Sequence, residues 1–167
     1  MKLLGIDQGS LKLGYALYNT VSKKFEAYGT MRFRSKDRYI RYEDLLRNLE
    51  DLVNATNPTA LAVEDVFLKR SGFSNPKTSK IMAETRGIIL SVPIQLKIPV
   101  LDVNPAALTK FLGINTRKQD KKEVTMQYAS TIVGKQVEED TADAIVIALI
   151  AEQMIIEENI KYEEENK

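Results

Sequence analysis

The chain contains no cysteine and no histidine. The first absence excludes disulfides, thiolate metal centres and cysteine nucleophiles. The second excludes a Ser-His-Asp triad and a histidine-bound zinc. Acid–base or metal chemistry is thereby left to Asp, Glu, Lys and Tyr, and carboxylate-only sites suit hard cations such as Mg²⁺ or Mn²⁺. No apolar run is long enough to span a membrane; the longest, Ala144 to Ala151, fits a buried helix. The opening residues lack the basic segment, long apolar stretch and small-residue cleavage site of a secretory signal. A cytoplasmic protein without a membrane partner is expected. Net charge is nearly absent too, at +1, but residues 157–167 hold five Glu against two Lys, which leaves +4 on residues 1–156.

What is present describes a soluble globular protein: 167 residues, 44% hydrophobic and 28% charged, enough for one domain with its own core. Residues 1–156 are expected to form that domain, and residues 157–167 an acidic, frayed helix end. Two β-rich runs open the chain, Leu3 to Ile6 and Leu13 to Tyr18, and Lys24 to Phe33 reads as a third. Their short connections imply an antiparallel meander. Helical spacing of Tyr39, Tyr42, Leu45, Leu46, Leu49, Leu52 and Val53 predicts a helix from about Ser35 to Ala55. Ala60 to Phe67 reads as a buried strand, about Pro76 to Leu96 as a helix that Pro93 should kink or end, and Pro99 to Val103 as a short strand. Short helices over Pro105–Leu112 and Lys121–Val133 precede a last one from Glu139 to about Asn159. This order implies an α/β fold: a mixed five-stranded sheet, antiparallel meander plus two parallel strands, with helices on both faces. Right-handed crossovers place the Ala60 strand beside the Leu3 strand and the Pro99 strand beyond it.

Within that frame, Asp7 closes the first strand, just before Gly9 and Ser10. It fits two readings, a turn former or a reactive carboxylate on a rigid support. Glu64 and Asp65 interrupt an otherwise apolar strand; alternation sends them to opposite faces, so only one can face Asp7. Either this is an edge strand with one wet face, or a buried carboxylate that needs a partner. Asp140 and Asp143 are three apart and share a helix face. Asp140 could equally be a helix cap, whereas Asp143 leads directly into the buried run from Ala144 to Leu149. Carboxylates converging from these places repel one another, and divalent cations would stabilise them. Two Mg²⁺ ions would activate a water and stabilise the leaving oxygen of a phosphodiester without a protein nucleophile.

Taken in order, Ile6-Asp7-Gln8-Gly9, Gly14-Tyr15, Val63-Glu64-Asp65-Val66-Phe67, Thr85-Arg86-Gly87 and Asp140-Thr141-Ala142-Asp143-Ala144 resemble the RuvC family of Holliday junction resolvases, within the ribonuclease H-like superfamily. The resemblance covers residues 1 to about 152. It implies a ribonuclease H-like fold and a homodimeric, Mg²⁺-dependent endonuclease acting on branched DNA, especially four-way junctions, with two metal ions per site and Mn²⁺ able to substitute. Its acidic tetrad would be Asp7, Glu64, Asp140 and Asp143. Lys110 and Lys121 fall near the family's active-site lysines, with Lys118 or Lys122 as alternatives to Lys121. Phe67 matches an aromatic held to stack on an unpaired base. Lys69, Arg70, Lys77 and Lys80 form one basic cluster, and Arg117, Lys118 and Lys122 belong to another; each reads either as a solvated charge run or as a phosphate-binding rim. The helix holding Ile81, Met82, Ile88, Ile89 and Leu90 has more apolar surface than one sheet face consumes, which suits a two-fold dimer.

Three departures from the family pattern stand out: Leu13 before Gly14, Ala16 in place of glycine, and Gly113 to Arg117 in place of a Gly-rich loop. The divergence would suit a phage or low-GC bacterial member, and a branch-migration motor is a conceivable partner. Competing readings are a less selective fork or flap nuclease, a YqgF-like RNA-processing nuclease, a fragment of an actin-like sugar kinase, and a non-catalytic DNA-binding scaffold. The kinase reading suffers from the chain's length.

Overall fold

The computed structural model describes residues 1–65, 75–115 and 117–165, with side chains through residue 158. Among the described residues, five strands and five helices follow in the expected order: β1 Lys2–Gln8, β2 Lys12–Asn19, β3 Lys24–Arg32, α1 Arg38–Thr56, β4 Ala60–Glu64, α2 Pro76–Gln95, β5 Val100–Val103, α3 Pro105–Phe111, α4 Lys121–Val133 and α5 Glu139–Glu165. The sheet order is β3-β2-β1-β4-β5. The first two pairings are antiparallel and the last two parallel, so the mixed sheet anticipated from the element order is what forms.

Local chemistry sets the helix ends. Asp37 accepts a hydrogen bond from the Tyr39 amide at 2.8 Å, which starts α1 at Arg38 rather than near Ser35. Asn57 adopts a left-handed conformation at φ 45° and closes α1 ahead of Pro58. Pro93 is accommodated in the last turn of α2, which ends two residues later at Gln95. α5 continues to Glu165, beyond the expected end near Asn159. Among the described residues no helix is long and apolar enough to cross a membrane.

Strand alternation divides the core in two. Leu4, Ile6, Leu13, Leu17, Leu61 and Val63 point to one face and pack against Leu45, Leu49 and Val53 of α1 and Ile89 and Val92 of α2. Ile89 is fully buried there, so the surplus apolar surface expected around it lies further along α2, at Ile94 (66% exposed) and in the following turn at Leu96. On the opposite face, Leu3, Ala60 and Ala62 pack under Val146, Ile147, Ile150 and Ala151 of α5. Ala16 meets Ala142, Ala144 and Ile145 of the same helix.

Small residues make that second face possible. A Cβ on Gly5 would lie 2.3 Å from the Ala144 carbonyl oxygen, and one on Gly14 only 1.9 Å from the Asp140 carbonyl oxygen. The α5 backbone therefore rests directly on β1 and β2, at a separation only glycine permits. This close seating brings the first turn of α5 over the C-terminal end of β1.

Candidate active site

Asp7 and Gly14 are register partners across β1 and β2. On the other side Ile6 pairs with Val63, so Asp7 and Glu64 follow side by side at the ends of parallel strands. Both share the α5 face of the sheet with Gly5 and Ala62, by alternation. Asp65 goes the other way, where its carboxylate lies 3.5 Å from Arg86 of α2. Of the two adjacent acids, Glu64 at the end of β4 is the one that joins Asp7.

The electrostatics show that the acids converge. Burial, then the charges of Asp143, Glu64, Asp140 and Glu139, push the Asp7 carboxyl up to about 8. Burial pushes Asp143 up to about 6; Lys121 opposes that rise, while Glu64, Glu139 and Asp140 add to it. Glu64 is likewise raised by burial and held back by Lys121. Four carboxylates from β4 and α5 thus act on Asp7 at the end of β1, with the Lys121 ammonium at the start of α4 as a neighbouring cation.

Asp140 stands inside the first turn of α5, where its Oδ2 accepts from the Lys12 ammonium at 2.6 Å. Further ties hold this turn in place. Lys122 Nζ lies 2.8 Å from Glu139 Oε1, the Thr30 and Thr141 hydroxyls are 2.8 Å apart, and Arg32 pairs with Glu138. Among the described residues no three acids are gathered tightly enough to form a ready-made metal cage. The donor set nevertheless suits a hard divalent cation: it is all oxygen, it is partly buried, and burial first and the repulsion of its neighbours second drive Asp7 up to about 8. Asp7, Glu64, Asp140 and Asp143 are the residues that could hold it.

The lysines anticipated from the sequence separate. Lys121 acts on Glu64 and Asp143, whereas Lys122 is engaged with Glu139. Lys110 is not brought to the acids. It lies exposed at the last turn of α3 and lines a surface hollow with Ile150, Met154 and Glu157. At 1.5 Å per residue, Ile150 alone is about 10 Å along α5 from Asp143. Arg117 and Lys118 are exposed in the turn before α4, and Lys77 and Lys80 are exposed on the first turn of α2. Phe67, Lys69 and Arg70 lie outside the described residues.

Three contributors carried no functional reading from the sequence. Arg86, whose side chain is 14% exposed, donates from Nη1 to the Glu64 carbonyl at 2.7 Å and reaches Asp102 through Nη2 at 2.5 Å. Gln8 donates from Nε2 to the same carbonyl at 3.1 Å. Together they lock the peptide that carries Glu64. Arg86 sits in the Thr85-Arg86-Gly87 block and Gln8 in the Ile6-Asp7-Gln8-Gly9 block, so a signal existed for both; Lys12 carried none, because its role depends on where a distant element lands.

Known proteins resemble this chain over most of its length. A family profile described as crossover junction endodeoxyribonuclease RuvC matches residues 3–151. Curated relatives include the crossover junction endodeoxyribonuclease RuvC of Syntrophomonas wolfei, 30% identical over 154 residues and covering 89% of this chain and 87% of that one. The protein of the same description from Prochlorococcus marinus is 28% identical, covering 89% of this chain and 94% of that one. Among solved structures, Thermus thermophilus RuvC in complex with a Holliday junction substrate superposes with a TM-score of 0.71 at 19% identity, over 89% of this chain and 90% of that one. The yeast mitochondrial Holliday junction resolvase superposes at 0.59 and 18% identity, over 87% and 75%.

Proposed function

This chain belongs to the RuvC family of crossover junction endodeoxyribonucleases, and on that premise we propose that it cuts Holliday junctions by metal-assisted hydrolysis of a phosphodiester bond. The observation that carries the reading is the convergence of Glu64, Asp140 and Asp143 upon Asp7 from β4 and α5: after burial, their charges are what raise the Asp7 carboxyl. Metal-assisted attack by a water needs no protein nucleophile, which fits a chain with neither cysteine nor histidine.

Asp7, Glu64, Asp140 and Asp143 would hold two Mg²⁺ ions, with Mn²⁺ as a substitute. Bound there, the pair supplies an activated water and neutralises charge on the leaving oxygen. The remaining work belongs to the protein. Asp7, raised to about 8, retains a proton at neutral pH until cationic charge arrives beside it. Lys121, whose charge reaches Glu64 and Asp143, presents its ammonium to the phosphate undergoing attack. Arg86 and Gln8 keep the Glu64 peptide from shifting. Lys77, Lys80, Arg117 and Lys118 are exposed and available to backbone phosphates, which position DNA without reading its sequence. Phe67, Lys69 and Arg70 enter this reading from the family resemblance alone.

A four-way junction offers two equivalent strands, which a two-fold homodimer matches. The outer face of α1 and α2 supports such a dimer. Tyr39 (64% exposed) and Tyr42 border a groove with Gly87, Ile88 and Ser91, and Ile94 continues it one turn on. Gly87 has open space where a Cβ would be. An exposed glycine in a helix interior costs about 1 kcal/mol, and close approach of a partner helix is a physical reason to keep it.

The test is cleavage of an end-labelled synthetic four-way junction beside linear duplex and a three-way fork, in Mg²⁺ or EDTA. Paired symmetric nicks in the junction, lost in EDTA and in Asp7→Asn, are expected. Equal cutting of the fork would reduce the protein to a general branch nuclease. No cutting of any DNA in Mg²⁺ or Mn²⁺ would overturn the reading and direct attention to RNA.

A further inference from the structure

We propose that Lys12 is a built-in competitor for the metal site: its ammonium holds Asp140 and must give way before Asp140 can serve as a ligand. The inference rests on the metal-binding reading of the acidic cluster given above. Lys12 opens β2, two residues before Gly14. Alternation therefore sends its side chain to the same sheet face as Gly14, beneath α5. The missing Cβ of Gly14 lets the Asp140 backbone settle onto β2, which brings the Asp140 carboxylate within 2.6 Å of Lys12 Nζ. The pair is thus a consequence of how α5 is seated.

Its asymmetry gives it a function. The Asp140 side chain is 19% exposed and tied to a helix turn held by Thr30, Arg32 and Lys122. The Lys12 side chain is 43% exposed on a flexible four-carbon stem. Of the two partners, only Lys12 can leave cheaply. A divalent cation approaching Asp140 meets a positive charge already seated on Oδ2, and the repulsion is relieved by swinging Lys12 into solvent. Affinity for the metal is lowered by the work of that displacement. In exchange, the acidic cluster gains a counter-ion of its own, which limits the repulsion that buried carboxylates would otherwise exert on the fold.

The experiment measures Mn²⁺ binding by calorimetry and metal-induced stabilisation by thermal melting, on the full chain without DNA, for wild type, Lys12→Met, Lys12→Gln and Lys12→Arg. Removing a unit charge in direct contact with a ligand carboxylate is expected to tighten Mn²⁺ binding at least about tenfold in the Met and Gln variants. Those variants should also melt lower in EDTA and gain more from metal than wild type does. Lys12→Arg, which preserves the charge, should bind within about threefold of wild type. Equal or weaker binding by the Met and Gln variants would overturn the role of Lys12 while leaving the metal site standing. Absence of Mn²⁺ binding in every protein would overturn the metal site and Lys12's role together.

Discussion

Replacing Asp7 with Asn removes an ionisable group from the middle of the acidic cluster while nearly preserving shape. In the folded chain burial and the neighbouring acids raise the Asp7 carboxyl from its ordinary 3.8 to about 8. A group raised in this way binds its proton more tightly folded than unfolded. The stability it contributes is fully present below pH 3.8 and is lost as pH rises through about 8. At pH 7 the part of that span already crossed, about 3 pH units at about 1.4 kcal/mol each, bounds the loss at about 4 kcal/mol. Sharing of the burden with Glu64 and Asp143, and water entry beside a partly open site, reduce this to about 2 kcal/mol. In a domain of this size that corresponds to a melting temperature about 4–8 °C higher for Asp7→Asn.

The assay is thermal or urea unfolding of both proteins in EDTA at pH 5 and pH 8. Asp7→Asn should be the more stable at pH 8, the gap should narrow at pH 5, and wild type should lose stability between the two. Mg²⁺ should restore wild type at pH 8 and leave the variant unmoved, although the variant no longer cleaves DNA. Asp143, pushed up to about 6, adds to the same decline over the lower part of that range. Equal or lower stability of Asp7→Asn at pH 8 would refute the claim that the acids strain one another.

Four further outcomes follow from particular contacts. Gly14→Ala would place a methyl 1.9 Å from the Asp140 carbonyl oxygen; because both sides are backbone, it should lose about 3 kcal/mol or more and fail to bind Mn²⁺, checked by melting and calorimetry. Lys121→Met removes the cation that restrains Glu64 and Asp143, so cleavage should fall about 100-fold with its pH profile displaced to higher pH, while melting changes little. Arg86→Met leaves Asp102 unpaired and the Glu64 carbonyl with Gln8 alone; unfolding should register a loss of about 2 kcal/mol, and cleavage well below the melting range should fall further than that loss explains. Gly87→Arg fills the open space on the outer face of α2, and light scattering should find a monomer with normal melting behaviour; a persisting dimer would place the interface elsewhere.

The sequence by itself determined the element order, because each strand and helix carries its own local pattern: short apolar runs in β1, β2 and β4, three-and-four spacing in α1. Turn length and crossover handedness then left one sheet order to expect, and β3-β2-β1-β4-β5 is the one observed. Asp7, Glu64, Asp140 and Asp143 were legible for the same local reason: each is an acid where the surrounding pattern demands an apolar residue or opens a buried helix.

Only the tertiary structure decided which cations face those acids. Lys110, Lys121 and Lys122 look alike in a basic stretch, yet side-chain direction at the end of α3 and the start of α4 puts Lys121 beside Glu64 and Asp143, gives Lys122 to Glu139, and leaves Lys110 beside the middle of α5. Lys12 and Arg86 acquire their roles from residues far away in the chain, Asp140 and Asp102 among them. Period and propensity are properties of neighbours in sequence. An ion pair between β2 and α5 exists only because two glycines allow a helix backbone to lie against a sheet, and no local pattern records where that helix comes to rest.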